Sequence, residues 1–241
     1  MLRDKTAVVT GGSSGIGRAI AEKYVEQGAE VTITGRNAER GRETAEDIGC
    51  TFRECDVRDY DSVEHVVDET AEDSGLDVVV NNAGIGTQGS VEEMSLDEWR
   101  DTLDTNLDGV MHGVRASIPW LVEDGGSIVN VASIYGLRGG VGAAAYSASK
   151  GGVVNLTRQV AVDYATEDVR ANAICPGFVR TPMTEEALDD DEFYEFVRRR
   201  TPMDRAAEPE EIAPLAAFLA SDGSSYLTGA AIPVDGGWTC F

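Results

Sequence analysis

The sequence predicts a single α/β domain built on a doubly wound parallel β-sheet. Short apolar runs of strand length alternate with longer amphipathic stretches, which is the pattern of repeated βαβ units. The chain has 241 residues, 42% of them hydrophobic, which is enough for one buried core. No internal repeat, low-complexity linker or change of composition marks a second domain. We therefore predict one domain over residues 1–241, with ligands bound beyond the carboxyl ends of the strands.

The apolar runs predict seven strands, and the amphipathic stretches between them predict the helices. The predicted strands are Thr6–Thr10, Glu30–Thr34, Thr51–Asp56, Asp77–Asn81, Ser127–Ala132, Arg170–Ile174 and Ala231–Val234. The predicted helices are Ile16–Gln27, Ala38–Ile48, Tyr60–Glu72, Ser95–Leu121, Ala143–Ala165 and Pro209–Ala220. This order predicts helices on both faces of the sheet.

Residues 182–207 depart from this rhythm, because they are rich in charge and carry two Thr-Pro steps, Thr181-Pro182 and Thr201-Pro202. We expect a short helix near Glu185–Arg200. The segment is either a lid that moves over a substrate or a plain surface insertion.

Charge is the unusual feature of the composition, with 43 acidic against 20 basic residues and a formal net charge of −23. Nucleic acid and anionic membranes are both repelled by such a charge, so neither is an expected partner. The acidic residues are spread along the chain, which favours a surface adapted to high salt; an ordinary acidic protein is the alternative. No leader-like or membrane-spanning run is seen, so we expect a cytoplasmic protein.

The cysteines Cys50, Cys55, Cys175 and Cys240 form no C-x-x-C pair, and the two histidines lie far from them in sequence. We therefore expect neither a metal site nor a disulfide framework, and interpret the cysteines as small hydrophobic residues.

A glycine-rich turn follows the first predicted strand and opens the first predicted helix, with the sequence Thr10-Gly-Gly-Ser-Ser-Gly-Ile-Gly17. Glycines let a backbone approach a pyrophosphate, whose charge the helix N-terminus then stabilises. The spacing differs from G-x-G-x-x-G, and a turn of this kind also occurs for purely structural reasons. Its position favours a dinucleotide site.

Tyr146 and Lys150 have the i and i+4 spacing that places two side chains on one face of a helix. A neighbouring ammonium lowers the pKa of a phenol and so suits it to proton transfer, and we expect this effect at Tyr146. Ser133 ends a predicted strand thirteen residues earlier. A serine there is a candidate catalytic group or a simple turn former.

Taken together, these motifs resemble the short-chain dehydrogenase/reductase family over roughly Lys5 to Asp235. The matching pieces are the glycine-rich turn, Asp56-Val57, Asn81-Asn-Ala-Gly84, Asn106, Ser133, Tyr146-x-x-x-Lys150 and Pro176-Gly177. The resemblance, which is to 3-oxoacyl-carrier-protein reductases and glucose-type dehydrogenases, implies a Rossmann-type sheet, a nicotinamide cofactor and an Asn–Ser–Tyr–Lys catalytic set.

The same resemblance implies residue roles. Tyr146 is the expected proton donor in reduction, Ser133 the group that polarises the substrate carbonyl, Lys150 the ribose anchor, and Asn106 the residue that orients a water. The implied cofactor residues are Gly11, Ser13, Ser14, Gly15, Ile16, Gly17, Arg36, Asp56, Val57, Asn82, Ala83, Gly84, Tyr146, Lys150, Pro176, Gly177, Val179 and Thr181.

Cofactor choice depends on the end of the second strand, Thr34-Gly-Arg-Asn37. An acidic residue that would bind the ribose hydroxyls of NAD is absent there. Arg36 is suited to the 2′-phosphate of NADP, although it can also simply flank the next helix. We expect NADP(H) rather than NAD(H).

The substrate is expected to be a small carbonyl or secondary alcohol, possible forms being a 3-oxoacyl thioester or a sugar. The candidate pocket segments are Ile85–Gln88, Ile134–Arg138, Gly139–Ala144 and Phe178–Ala207. Arg198-Arg-Arg200 is either a basic patch for an anionic carrier or a complement to a helix dipole. A non-catalytic NADP-binding sensor or scaffold is disfavoured by the intact catalytic set.

We also expect a homotetramer, from the family resemblance and from the aromatic residues at the C-terminus. Trp238 and Phe241 are then expected at the surface; the alternative is that they fold back onto their own subunit.

Overall fold

A computed structural model describes residues 1–240 and shows one seven-stranded sheet in which every paired strand is parallel. The strand order is β3-β2-β1-β4-β5-β6-β7. The strands are β1 Thr6–Thr10, β2 Glu30–Gly35, β3 Thr51–Glu54, β4 Val78–Asn81, β5 Gly126–Val131, β6 Val169–Pro176 and β7 Ala231–Val234. The predicted fold class is confirmed, and most predicted strands differ from the observed ones by one or two residues at an end.

Helices cover both faces of this sheet, as predicted. They are α1 Gly15–Glu26, α2 Ala38–Ile48, α3 Tyr60–Ser74, α4 Leu96–Leu103, α5 Gly109–Asp124, α6 Ala144–Tyr164, α7 Glu185–Leu188, α8 Asp191–Arg200 and α9 Ala213–Ala220. The stretch Pro209–Ala220, predicted as one helix, begins with a separate 3-10 turn at Pro209–Glu211.

Each face of the sheet has its own hydrophobic core. On one face α1 packs against α9, where the Tyr24 hydroxyl donates to Ala216 O at 3.0 Å, and the buried side chains include Ile20 and Ile33. On the other face α5 and α6 bury side chains such as Val114 and Val153. The central strand β1 is buried along its whole length. The loops at the carboxyl ends of the strands are therefore held by a tightly packed sheet.

The strand order reverses between β1 and β4, and the loops after these two strands are tied together. The Asn82 N–H donates to Thr10 Oγ1 at 2.9 Å, and Asn82 Nδ2 donates to Thr10 O at 2.9 Å. A crevice opens at this point because the two connections leave toward opposite faces of the sheet.

The predicted helix Ser95–Leu121 is interrupted, which corrects the sequence-based expectation. A π-helical turn, Asp104–Asp108, separates α4 from α5, and Asn106 lies on it. One such turn inserts an extra residue and changes the direction of the side chains that follow, which a hydrophobic pattern cannot reveal. Asn106 forms hydrogen bonds with Ile85 in the loop after β4, and these tertiary contacts hold the π-helical turn in place.

Trp238 is only 6% exposed, and this corrects the expectation of a surface aromatic at the C-terminus. Its ring packs in its own subunit, with the ring centroids of Phe178 and Phe196 at 5.0 Å and 5.8 Å. Asp235 holds the turn by accepting hydrogen bonds from the Gly237 and Thr239 N–H groups. Phe241 lies outside the described residues.

Residues 1–240 offer neither a helix suited to a membrane nor a side-chain cluster suited to a metal ion. No helix in that range has both the length and the apolar character needed to cross a bilayer. The same residues contain no group of three or more His, Cys, Asp or Glu side chains placed to hold a metal ion. Cys55 and Cys175 are buried, Cys50 is partly buried and Cys240 is exposed, so the hydrophobic interpretation does not hold for Cys240.

Candidate active site

A cavity of about 730 Å³ occupies the crevice at the carboxyl ends of the strands. This volume lies within the range of small-molecule and cofactor sites. Every predicted cofactor residue except Gly17 lines it, as do three of the four predicted catalytic residues, Ser133, Tyr146 and Lys150. The cavity residues come from eight separate stretches of the sequence, so the site exists only in the folded chain.

The glycine-rich turn forms one wall. Gly11 and Gly15 have φ values of +65° and +52°, a conformation that side-chain-bearing residues rarely adopt. The backbone then enters α1 at Ser14, whose side chain, among the described residues, makes no capping hydrogen bond. The N–H groups of the first turn of α1 are therefore available to an anion, and the helix dipole favours its charge.

Gly17 does not line the cavity, which corrects its predicted role. A Cβ atom at this position would lie 2.3 Å from Asn82 Nδ2 and 2.4 Å from Gly11 O. Gly17 is needed because α1 packs tightly against the turn and the loop after β4. The third glycine of the motif therefore serves packing, while Gly11 and Gly15 shape the wall.

Two arginines mark one end of the cavity. Arg36 follows β2, and Arg40 lies one turn into α2, whose N-terminus Asn37 caps by accepting the Arg40 N–H at 3.0 Å. In the described part of the chain neither arginine forms an ion pair with a carboxylate. No acidic side chain stands at the end of β2 to oppose an anion.

Asp56 and Val57 form the adjoining wall. The carboxylate of Asp56 accepts a hydrogen bond from Arg58 Nε at 3.0 Å and another from the Arg58 N–H at 3.1 Å. These contacts lower the pKa of Asp56, so it is anionic at neutral pH. Val57 is buried against Gly109, where a Cβ would lie 2.8 Å from Val57 Cγ2.

Tyr146 and Ser133 meet at the opposite end of the cavity. Tyr146 lies in the first turn of α6, and Ser133 follows β5, where its Oγ accepts the Tyr135 N–H at 3.1 Å. Burial raises the pKa of Tyr146, and hydrogen bonding to Ser133 partly opposes that rise. The two hydroxyls are therefore coupled, and the phenol keeps its proton at neutral pH.

The expectation that Lys150 lowers the pKa of Tyr146 is wrong for this structure. Lys150 Nζ donates to Val131 O at 2.8 Å and lies 5.8 Å from the centroid of the Tyr146 ring. Burial of its ammonium lowers the pKa of Lys150 to about 8, because an apolar environment disfavours the charged form. Helical spacing correctly placed the two side chains on one face but did not reveal the carbonyl that binds the ammonium.

Asn106 is fully buried and does not line the cavity. Its Oδ1 accepts the Ile85 N–H at 2.7 Å, and its Nδ2 donates to Ile85 O at 2.9 Å. Gly84 lies beside it, where a Cβ would be 3.1 Å from Asn106 Oδ1 and 3.6 Å from Lys150 Nζ. Asn106 thus fixes the loop between the cavity and α6.

The remaining wall follows β6. A Cβ on Gly15 would lie 3.2 Å from Thr181 Cγ2, so the glycine-rich turn and this loop approach each other across the cavity. The Thr181 N–H donates to Thr184 Oγ1 at 3.1 Å, and the two hydroxyls are 3.2 Å apart. The loop leads directly into α7 and α8, which confirms helical structure within residues 182–207.

Several residues that line the cavity were not predicted from the sequence, and most of them lie within two positions of predicted ones. Arg40 lies in the first turn of α2, whereas Arg36 precedes that helix, so helical spacing does not relate the two arginines. The others are Cys55, Thr105, Val131 and Ala132. They share no chemical motif, so only their adjacency to Asp56, Asn106 and Ser133 could have indicated them.

Comparisons with known proteins identify the family of this chain. Residues 11–239 match a family model described as enoyl-(acyl carrier protein) reductase. The chain is 43% identical to an NADP-dependent (R)-specific alcohol dehydrogenase of Lentilactobacillus kefiri, covering 99% of this chain and 98% of that protein. It is 41% identical to a 3-oxoacyl-[acyl-carrier-protein] reductase of Chlamydia trachomatis, covering 98% of each.

Among solved structures, an aldohexose dehydrogenase of Thermoplasma acidophilum in ligand-free form matches with a TM-score of 0.91 at 36% identity. The match covers 100% of this chain and 96% of that one. The chain belongs to the short-chain dehydrogenase/reductase family. It is an oxidoreductase that acts on CH–OH or carbonyl groups.

Proposed function

We propose that this protein is an NADP(H)-dependent reductase of ketones, acting reversibly on secondary alcohols, with Tyr146 as the proton-transferring group. The observation that carries the proposal is that Tyr146 and Ser133 line the cavity beside β5, whereas Arg36 and Arg40 line it beyond β2, three strands away in the sheet. Tyr146 and Ser133 suit the carbonyl of a substrate, and Arg36 and Arg40 suit the phosphate of a cofactor.

The cavity fits a nicotinamide dinucleotide. The glycine-rich turn and the open N-terminus of α1 suit the pyrophosphate, and Asp56 and Val57 suit the adenine. Asn82, Ala83 and Gly84 would lie beside a ribose. Pro176, Gly177, Val179 and Thr181 would flank the nicotinamide, which supplies the hydride when bound.

The protein residues then manage the proton and the developing charge. Tyr146 donates its hydroxyl proton to the carbonyl oxygen, while the Ser133 hydroxyl donates a hydrogen bond to the same oxygen. A raised pKa keeps Tyr146 protonated for this step at neutral pH. Lys150 holds a ribose of the cofactor. Asn106 positions the loop after β4 relative to helix α6.

NADP(H) is the proposed cofactor because Arg36 and Arg40 lie free of carboxylate partners, within residues 1–240, where a 2′-phosphate would bind. A charge-assisted pair should favour NADPH over NADH by about 5- to 150-fold, and salt should reduce that margin. The relative from Lentilactobacillus kefiri is itself named as NADP-dependent.

Steady-state kinetics with purified protein test the proposal. We expect reduction of simple ketones with NADPH, and a lower kcat/KM for the cofactor with NADH at equal salt. The double variant Gly35→Asp with Arg36→Leu should reverse the preference, because a carboxylate would accept from the ribose hydroxyls and repel the phosphate. A wild type that prefers NADH, or a double variant that keeps preferring NADPH, contradicts the assignment.

We also propose that the protein works as a homotetramer in a salt-rich cytoplasm, with residues 182–207 as a substrate lid. Exposed apolar side chains on several elements support self-association, among them Trp99 and Phe218, each 37% exposed. Light scattering in molar KCl tests the assembly, and a monomer there would contradict it.

A further inference from the structure

An aromatic wall extends from Tyr146 away from the cofactor cavity. We use this name for Tyr135, Phe178 and Trp238. The Tyr135 ring centroid lies 6.3 Å from that of Tyr146, Phe178 lies 6.2 Å from Tyr135, and Trp238 lies 5.0 Å from Phe178. These residues follow β5, β6 and β7 respectively, so three separate segments converge beside the proposed proton donor.

Arg200 lies at the far end of the aromatic wall. It ends α8, and its guanidinium carbon lies 5.2 Å from the centroid of the Trp238 ring. Burial raises the pKa of Tyr135, and the positive charge of Arg200 opposes that rise, which places the guanidinium within electrostatic reach of the ring next to Tyr146. The indole face orients the guanidinium before any ligand arrives.

Two other arginines around this segment pair with carboxylates, whereas the exposed Arg199, like Arg200, has no such pair within residues 1–240. Arg198 pairs with Asp204 at 2.7 Å, and Arg205 pairs with Glu211 at 2.6 Å. Arg200 has no such partner in the part of the chain that the structure describes. Of the two unpaired arginines at the end of α8, Arg200 is the one whose guanidinium lies over the aromatic wall in the described residues, so Arg200 is placed to bind an anionic group of a ligand that lies along this wall.

Building on the proposed carbonyl reduction, we propose that the physiological substrate is an oxo carboxylic acid whose carboxylate binds Arg200. Its carbonyl would lie at Tyr146 and Ser133, and its apolar chain would lie along the aromatic wall. The charge of −23 repels anions from most of the surface, so a local cation is needed to bring a carboxylate to this site. Arg200 is thus a specificity-determining residue, and the Arg198–Arg200 run is more than a complement to the dipole of α8.

The test compares charged and neutral forms of one carbon skeleton at low ionic strength. Oxo acids with the ketone at carbons 2 to 6 are each paired with their methyl esters, and kcat/KM is measured with NADPH. We expect the wild type to prefer the acid for the longer skeletons, such as 5-oxohexanoate. Arg200→Ala should lower the acid-to-ester ratio of kcat/KM by about 5- to 30-fold, mainly through KM.

Arg199→Ala is the matched control, because Arg199 is exposed like Arg200 but, within residues 1–240, contacts no aromatic ring. It should leave the ratio unchanged, whereas Arg200→Lys should restore part of it and molar KCl should reduce the preference. Equal acid and ester kinetics in the wild type, or the same loss in both arginine variants, would overturn the proposal. A preference for oxoacyl-CoA over every free acid would also overturn it.

A binding measurement separates this inference from the proposed function. Hexanoate and hexanamide are titrated against the cofactor-bound protein, with tryptophan fluorescence as the signal, since Trp238 lies under Arg200. Tighter binding of hexanoate that is lost in Arg200→Ala supports the anion site even if no ketone is reduced. If ketones are reduced but hexanoate binds no better than hexanamide, the reductase assignment stands and the anion site fails.

Discussion

Lys150 Nζ donates its hydrogen bond to Val131 O, 2.8 Å away, and lies 5.8 Å from the centroid of the Tyr146 ring. The ammonium is therefore anchored to the carboxyl end of β5 rather than bonded to the phenol. This arrangement fixes α6 against the sheet and leaves the Tyr146 hydroxyl directed to Ser133. In the proposed mechanism, proton transfer and helix placement therefore belong to two different side chains of one motif.

Tyr146→Phe should remove the transferable proton while keeping the ring and its packing. We expect kcat for ketone reduction to fall by about 10²- to 10⁴-fold, with the Kd for NADPH nearly unchanged. Stopped-flow turnover and fluorescence titration measure the two quantities. Tyr226→Phe is the control, because Tyr226 is fully exposed and should keep wild-type turnover. Wild-type turnover in Tyr146→Phe would remove the assigned role.

Lys150 should make the stability of the protein depend on pH. Its pKa falls from 10.5 to about 8 on folding, so below pH 8 the folded state bears the cost of a buried cation, and above pH 10.5 neither state does. Wild-type stability should therefore rise relative to Lys150→Met by about 2 to 3 kcal/mol between pH 7 and pH 10. Urea denaturation of both proteins measures this difference; a difference that stays constant with pH would show an ordinary lysine pKa.

Gly17→Ala should destabilise the protein, because its Cβ would lie 2.3 Å from Asn82 Nδ2 and 2.4 Å from the Gly11 backbone. Overpacking of this kind costs about 1 to 3 kcal/mol, and displacement of Asn82 should also weaken cofactor binding. Gly139→Ala is a suitable control, since nothing among the described residues lies within 4 Å of its Cβ position. Urea melts that show the two variants to be equally stable would contradict the packing role.

Salt should stabilise the folded protein, because screening reduces the mutual repulsion of a surface with a net charge of −23. We expect the thermal midpoint to rise by about 5 °C or more between 0.1 and 2 M KCl, equivalent to roughly 2 kcal/mol. Chloride is preferred to sulfate in this test, since sulfate stabilises proteins generally. Equal midpoints would identify an ordinary acidic protein.

The periodicity of apolar residues was enough to predict the sheet and most of its helices. The strands Thr6–Thr10 and Ala231–Val234 and the helix Ala38–Ile48 have the predicted bounds, because their local patterns coincide with their burial or capping. The π-helical turn at Asp104–Asp108 was not predictable in this way. It is accompanied by hydrogen bonds between Asn106 and Ile85, which are 21 residues apart.

The sequence by itself determined the class of the protein and the residue types of the candidate site, since glycine-rich turns and Tyr-x-x-x-Lys are local patterns with local geometry. Only the tertiary structure decided which group each of these residues contacts. Gly17 packs against Asn82, Lys150 binds Val131 O, and Trp238 lies buried between Phe178 and Arg200. The groups that these residues contact belong to distant segments of the chain. Local sequence patterns do not reveal them, because the burial and the hydrogen-bond partners of a side chain depend on how the whole chain packs.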